Sequence, residues 1–212
     1  MTVIAVQRYQ QIVSEICGLG WTSLRRDELL AVAWAYYYFS VQFRENLEVA
    51  CELHPSDERL LELRLGECDT ANLSPFPGVA APGERMNHDE FMKRLVLMSD
   101  LEPALQMLVG RLGRSYLEIN RSENIVARAL SISSYEDGGL ERVFRAILTA
   151  PDWSGPSLAA FRHFLIEHIR FDSDPDAGHG ALSRHLVPDD RILPLWVAFR
   201  DLLVGAVPSL QG

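Results

Sequence analysis

The stretch FLIEHIRFDSDPDAGHGALSRHL, residues 164–186, places histidines and aspartates close enough together to bind a metal ion. His168 and Asp172 are four positions apart, so on a helix both side chains lie on the same face. His179 follows within the same stretch. Imidazole and carboxylate groups together, without thiolates, suit iron or manganese. The stretch is therefore either part of a metal site or an acidic surface turn.

Three further segments each carry a carboxylate or an imidazole on an apolar helical stripe. Glu136 follows Ile125, Ala129 and Ile132 at steps of three or four residues. Glu67 follows Leu60 and Leu63 in the same way. His88 begins a third such stripe, which continues through Phe91, Leu95 and Met98. An amphipathic helix turns its apolar stripe toward the core. We therefore expect four helices to direct metal-binding groups inward, counting the helix that carries His168 and Asp172.

Buried carboxylates need a partner, because an isolated buried charge is strongly unfavourable. Basic partners are scarce here, since the chain has 20 Lys and Arg residues against 29 Asp and Glu residues. Arg162 and Arg170 fall away from the stripe of His168. A shared cation would satisfy the carboxylates and imidazoles together, and helical bundles build such sites from facing helices.

Each of these residues also has an interpretation without a metal. His168 and Asp172 could form a hydrogen-bonded pair in the core. Glu67 and Glu136 could be solvated at the ends of their helices, and His88 could cap its helix or pack against an aromatic neighbour. His179 could lie in a solvated turn, since Pro175 prevents a regular helix from continuing through this stretch.

Helical periodicity runs through almost the whole chain, and no alternating strand pattern appears. The sequence predicts an all-α bundle in a single domain, residues 1–212. Asp27 is the predicted cap of the second helix, and Ser122 is the predicted start of the helix that ends at Glu136. Residues 68–87 read as a long proline-rich loop. The predicted helices cover residues 3–17, 27–54, 57–67, 88–99, 101–118, 122–136, 140–149, 156–172 and 194–205.

Composition limits the classes of function. The net charge of -9 opposes binding to nucleic acid, and no basic stripe offsets it. No apolar stretch approaches the length of a membrane span, so we expect no membrane partner. The three cysteines form no CxxC pair, which fits a reducing cytoplasm better than a disulfide framework or a thiolate zinc site. We also expect a homodimer.

The order Glu67, His88, Glu136, His168-x3-Asp172 and a further histidine resembles the ligand order of the heme-oxygenase-like diiron oxidases. The segment HIRFDSDPDAGHG is also similar to the H-I-x-L-D-x-D-x-H-G signature of one branch of that group. The resemblance covers most of the chain from about residue 30. It implies a seven-helix bundle related to heme oxygenase and to the TenA proteins, with two irons that activate dioxygen.

Two departures from the family pattern concern the first and last ligands. The family keeps its first Glu and His on one helix, whereas the proline-rich loop separates Glu67 from His88, so Glu84, Glu45 and Glu48 are alternative first carboxylates. The last histidine normally follows the Asp within about a turn, whereas His179 has to return by a loop or bulge.

The resemblance implies a non-heme iron oxidase or oxygenase, dinuclear, that uses O2 to oxidise a small organic substrate. Two Fe(II) ions would be its cofactor, with manganese as an alternative. The implied metal ligands are Glu67, His88, Glu136, His168, Asp172 and His179. Two other functions stay open: a metal-free hydrolase or oxidase of the TenA or PqqC type, and a non-catalytic helical interaction protein.

Overall fold

A computed structural model of the protein describes residues 8–69, 72–172 and 178–212, except for the side chain of Asp172. In this part of the chain the regular structure is helical and no strand occurs, which confirms the predicted all-α class. The α-helices of the described residues are α1 (Arg8–Cys17), α2 (Arg26–Leu53), α3 (Glu58–Glu67), α4 (His88–Leu97), α5 (Pro103–Ser122), α6 (Ile125–Glu136), α7 (Gly139–Ile147), α8 (Pro156–Asp172), α9 (His179–Ser183) and α10 (Leu193–Ala206).

Helix α2 forms the centre of the structure. Its 28 residues pack against α3, α4, α5, α6, α8 and α10. Tyr36 and Phe39, in the aromatic run WAYYYF, are almost completely buried among other aromatic rings and belong to the core. Neither α2 nor any other helix in the described part of the chain is long and apolar enough to cross a membrane.

Two predicted helix starts are wrong by a few residues. Helix α2 is capped by Arg25 rather than by Asp27, because the carboxylate of Glu28 accepts a hydrogen bond of 2.8 Å from the backbone N–H of Arg25. Ser122 ends α5, and α6 is capped instead by Asn124, whose side chain accepts from the backbone N–H of Val126 at 2.8 Å. Several polar residues near each boundary offer the same capping chemistry, so sequence leaves the choice open.

The loop between α3 and α4 brings the ends of these helices together. Asp57 caps α3, accepting hydrogen bonds from the backbone of Arg59 and Leu60. Farther along, the loop is fixed to neighbouring helices, since Arg94 of α4 donates to the carbonyl of Val79 at 3.0 Å and His163 of α8 lies 3.0 Å from the carbonyl of Leu73. The last residue of α3 therefore meets the first residue of α4, although twenty residues separate them in sequence.

Helix α9 is a structural element that the sequence did not predict. Helix α8 ends at Asp172, and helical structure begins again at His179. The hydroxyl of Ser183 donates to the carbonyl of His179 at 3.1 Å within this short helix. Helix α9 packs against α3, α6 and α8, so its first residue is directed into the bundle.

Candidate metal centre

Five helices contribute one side chain each to a buried polar cluster. Glu67 is the last residue of α3, His88 the first of α4, Glu136 the last of α6, His168 lies within α8, and His179 is the first of α9. Each of the five has less than a tenth of its surface exposed. The solvated interpretations of Glu67, Glu136 and His179 are therefore wrong, because these residues are buried and in contact with one another.

Glu67 connects two imidazoles. Its Oε2 lies 2.8 Å from Nδ1 of His88, and its Oε1 lies 2.9 Å from Nδ1 of His179. Both are close ion-pair distances between a carboxylate and an imidazole. The carboxylate reaches both rings because the last residue of α3 lies beside the first residues of α4 and α9. Glu67 is thus the central group of the cluster.

The orientation of His168 is fixed by the backbone of its own helix. Its Nδ1 lies 2.8 Å from the carbonyl oxygen of Phe164, four residues earlier, and a carbonyl can only accept. Nδ1 therefore carries the hydrogen, and Nε2 presents its lone pair. That lone pair faces Nδ1 of His88 at 3.1 Å. Metal-binding histidines are commonly held in this way, with one nitrogen donating to a carbonyl and the other free to bind the ion.

Glu136 completes the cluster. Its Oε2 lies 3.4 Å from Nδ1 of His179, at ion-pair distance, but it makes no hydrogen bond to the described residues. Glu67, Glu136 and His179 each offer one ligand atom, and the three atoms lie within 4.8 Å of one another, which is a suitable arrangement for a metal ion. His88 and His168 adjoin this group through Glu67 and through each other.

The nitrogen and oxygen atoms that face one another in the cluster carry few hydrogens that they could share in hydrogen bonds. Among the described residues, the imidazole N–H groups directed at the cluster come from at most two rings, those of His88 and His179, because the hydrogen of His168 is used on the backbone. Four acceptors compete for them: both oxygens of Glu67, Oε2 of Glu136, and Nε2 of His168. Within the described part of the chain, no Lys or Arg forms an ion pair with either carboxylate. A cluster richer in lone pairs than in hydrogens is suited to a cation.

Protonation in the metal-free protein follows from burial and from these contacts. Burial alone would raise the pKa of Glu67, but His88 and His179 outweigh it and hold that pKa well below its usual range. Burial alone would lower the pKa of His179, but Glu67 and Glu136 outweigh it and hold that pKa well above its usual range. Burial lowers the pKa of His168 to about 3, with His88 contributing in the same direction. Burial also raises the pKa of Glu136.

The remaining sequence candidates lie elsewhere or outside the description. The side chain of Asp172 lies outside the described residues, so its predicted pairing with His168 is not placed. The alternative first carboxylates point to other partners: Glu84 accepts from Arg94 at 2.8 Å, Glu45 forms an ion pair with Arg121, and Glu48 lies near Arg64. Among the predicted first carboxylates, Glu67 is the one that the fold brings into the cluster.

Two glycines allow α9 to approach its neighbours. A methyl group at Gly66 would lie 3.1 Å from Nε2 of His179, and one at Gly180 would lie 2.9 Å from the carbonyl oxygen of Glu136. Both distances are shorter than normal van der Waals contact. Sequence reasoning missed these residues, although each glycine directly adjoins a predicted ligand.

A cavity connects the cluster to solvent. The enclosed space is small, about 30 Å³, which has room for about two water molecules, and its lining includes Glu67, His88, Glu136 and His168. Aromatic side chains form much of the inner wall, among them Phe39 of α2. A molecule of about the size of water can therefore reach the buried polar groups from outside.

Fold and cluster together define this chain as an all-α protein with a buried carboxylate and imidazole group of metal-binding type. No protein-family model, no curated protein and no solved structure matches the chain.

Proposed function

We propose that the protein is a non-heme iron oxidase or oxygenase, with a dinuclear site, that uses O2 to oxidise a small organic substrate. The observation that carries this proposal is the convergence of two carboxylates and three imidazoles from five helices, with too few hydrogens to satisfy them. The seven-helix heme-oxygenase-like arrangement belongs to the same proposal, and the all-α fold with a central α2 supports it.

The donor set fits iron. Iron bound by imidazoles and carboxylates supplies the redox chemistry that activates dioxygen, and manganese accepts the same ligands. Glu67, His88, Glu136, His168 and His179 would hold the metal, with Asp172 as the sixth predicted ligand. Glu67 would hold the metal together with two imidazoles, because each of its oxygens faces a different ring.

The protein contributes orientation and exclusion of water. The carbonyl of Phe164 fixes the tautomer of His168, so its lone pair is ready for the metal without rearrangement. Phe164 and Phe144 pack against the ring of His168, which keeps this side of the site dry. Burial of this kind favours chemistry on an apolar substrate and protects reactive species from bulk water.

Anaerobic addition of Fe(II) to the purified, metal-free protein should load about two ions per chain. Subsequent mixing with O2 should consume the gas and produce a transient absorption band in the visible range. Elemental analysis after desalting, an oxygen electrode and stopped-flow spectroscopy measure the three quantities. The proposal fails if the folded protein retains no iron and oxygen uptake equals that of Fe(II) in buffer.

Iron binding should release protons and weaken as the pH falls. In the metal-free protein the pKa of His179 is well above its usual range, because Glu67 and Glu136 stabilise its protonated form, so the metal has to displace a proton from this ring. Calorimetric titration in two buffers of different ionisation enthalpy counts the protons released. A His179→Gln variant is the control and should release about one proton fewer per chain at neutral pH. An equal count in both proteins would contradict the assignment of His179.

The raised pKa of His179 also affects the stability of the metal-free protein. Because the pKa of His179 is raised on folding, its pairing with Glu67 stabilises the protein at pH values below the ordinary histidine pKa. That contribution is lost as the pH rises through the raised pKa. The metal should therefore matter most for stability in alkaline solution, where its binding is also strongest.

The two metal-free alternatives predict different results. A TenA-like or PqqC-like enzyme would use the same cavity and retain no iron after desalting. A non-catalytic interaction protein would use the cluster only as a structural core and consume no oxygen. Either outcome is visible in the iron-loading experiment.

A further inference from the structure

Helix α9 carries the candidate ligand His179, but apolar packing holds this helix only weakly. Its buried residues are His179, Gly180 and Ser183, and its one large apolar side chain, Leu182, is only partly buried. Hydrophobic stabilisation grows with the apolar area that is buried, so a helix of this composition gains little from it. Five residues are also too few for a helix that is stable on its own. Contacts of the residues around α9 therefore have to hold it in place.

The first of these contacts joins the chain after α9 to the start of α3. Nε2 of His185 lies 2.5 Å from Oδ2 of Asp57, and only 21% and 18% of the two side chains are exposed. The other oxygen of Asp57 accepts from the backbone N–H groups of Arg59 and Leu60, which fixes the orientation of the carboxylate. Burial alone would raise the pKa of Asp57, but these N–H groups and His185 outweigh it and lower that pKa. The contact is thus electrostatic and largely shielded from water, where attraction between charges is stronger.

A second ion pair joins the end of α9 to the end of α6. Arg184 donates to Oδ1 of Asp137 from Nε at 3.2 Å and from Nη2 at 3.0 Å. These two side chains are 57% and 44% exposed. Exposed ion pairs contribute little to stability, because water and salt screen their charges. The largely buried contact of His185 with Asp57 should therefore hold α9 more firmly than this exposed pair.

Both ends of segment 179–185 contact α3. At one end His179 lies 2.9 Å from Glu67, the last residue of α3. At the other end His185 lies beside Asp57, the N-cap of the same helix. The segment therefore lies along α3 in the opposite direction. Two contacts at opposite ends fix both the position and the direction of a short segment, whereas a single contact would let it pivot. Loss of the contact at His185 should thus let the ring of His179 turn away from the cluster.

We propose that His185 and Asp57 are positioning residues for the imidazole of His179. Their contact holds α9 along α3 and keeps this ring at the cluster before any metal binds. In the described part of the chain, both residues lie outside the group of candidate ligand atoms, so they act through His179. A ligand that is already held in place binds a metal with less loss of freedom. The effect on iron affinity rests on the proposed function, whereas the positioning of His179 requires no iron.

Chemical modification of the metal-free, full-length protein tests the positioning. Diethyl pyrocarbonate modifies accessible imidazoles, and mass spectrometry of the peptides gives the rate at each histidine. His185→Leu removes the contact and should raise the rate at His179 several-fold, because α9 then opens locally more often. The rate at His168 should not change, since the backbone of its own helix holds that ring. An unchanged rate at His179 would overturn the proposal. A parallel increase at His168 would also overturn it, because the whole fold rather than α9 would then have loosened.

Three further variants separate the position of His179 from general stability. His185→Gln places an amide NH2 group close to the former Nε2, so it can still donate to Asp57 and should keep the slow rate. Asp57→Ser retains a good cap for α3 but is too short to reach His185, so it should behave like His185→Leu. Arg184→Gln is the matched control and should also keep the slow rate. Fast modification of His179 in either glutamine variant, or slow modification in Asp57→Ser, would contradict the assignment.

Competition with a chelator under anaerobic conditions gives the Fe(II) affinity of the same variants. His185→Leu and Asp57→Ser should weaken it by about tenfold or more, the usual effect of removing a partner that orients a metal ligand. Both glutamine variants should bind Fe(II) like the unmodified protein. If the modification rates differ as expected but no protein binds iron, the proposed function fails and the positioning role stands. If all the proteins bind iron equally and are modified equally, the positioning role fails and the proposed function stands.

Discussion

Replacing Glu67 by glutamine should reduce bound iron from two ions per chain to less than one. Glu67 is the carboxylate that contacts both His88 and His179, so its charge holds the two imidazoles at the cluster. A glutamine keeps the size of the side chain but removes the negative charge, and its NH2 group would face the imidazole nitrogens. Because substitutions of outer-shell partners alone lower metal affinity by about 10–100-fold, loss of a ligand should cost at least about a hundredfold. Elemental analysis and competition with a chelator of known affinity measure this loss.

Glu48→Gln is the matched control for this experiment. Glu48 lines the same cavity, but its neighbour is Arg64 at the mouth rather than a histidine of the cluster. This variant should load iron like the unmodified protein. Full iron loading by Glu67→Gln would show that Glu67 is not a ligand, and the proposed dinuclear site would then lose its central group.

The inward direction of the site residues was predictable because helical periodicity alone determines it. Glu136 follows Ile132 at the spacing of one helical turn, and Ile132 is completely buried, so the carboxylate continues the same stripe into the core. The same spacing placed His168 on the apolar stripe of Phe161 and Leu165 on α8. Periodicity gives the inward direction of a side chain without knowledge of which helices are in contact. For this reason four side chains that periodicity directed inward, those of Glu67, His88, Glu136 and His168, are found buried in the described structure.

Other features depend on contacts between distant parts of the chain, which periodicity does not contain. The meeting of Glu67 and His88 is determined by how the intervening loop packs on α4 and α8. Helix α9 is too short to show a pattern of its own, and its position depends on close contact with α3 and α6. The pairing of Arg44 with Asp89 joins α2 to α4 across 45 residues, so the sequence alone could not predict it.

Gly180→Ala should displace His179 from the cluster and lower both stability and iron content. A methyl group at this position would lie 2.9 Å from the carbonyl oxygen of Glu136, and the backbone of α6 cannot move aside as a flexible side chain could. Forcing an extra methyl group into a packed interface typically costs about 1–3 kcal/mol. The strain is most easily relieved by moving α9 outward, which withdraws the adjacent His179. We therefore expect a lower free energy of unfolding in urea and about one iron ion lost per chain.

Gly205→Ala separates this effect from the general consequences of replacing a helical glycine. A methyl group at Gly205 of α10 would make ordinary contacts, the nearest at 3.4 Å to a flexible leucine side chain. Alanine favours helix over glycine by up to about 1 kcal/mol, so this variant should be equally stable or more stable and should keep its iron. If Gly180→Ala instead loses stability but binds two ions like Gly205→Ala, then His179 holds its position without the close packing of α9. The glycine would in that case serve the fold alone, and the ligand geometry would have to be set by the contact of His179 with Glu67.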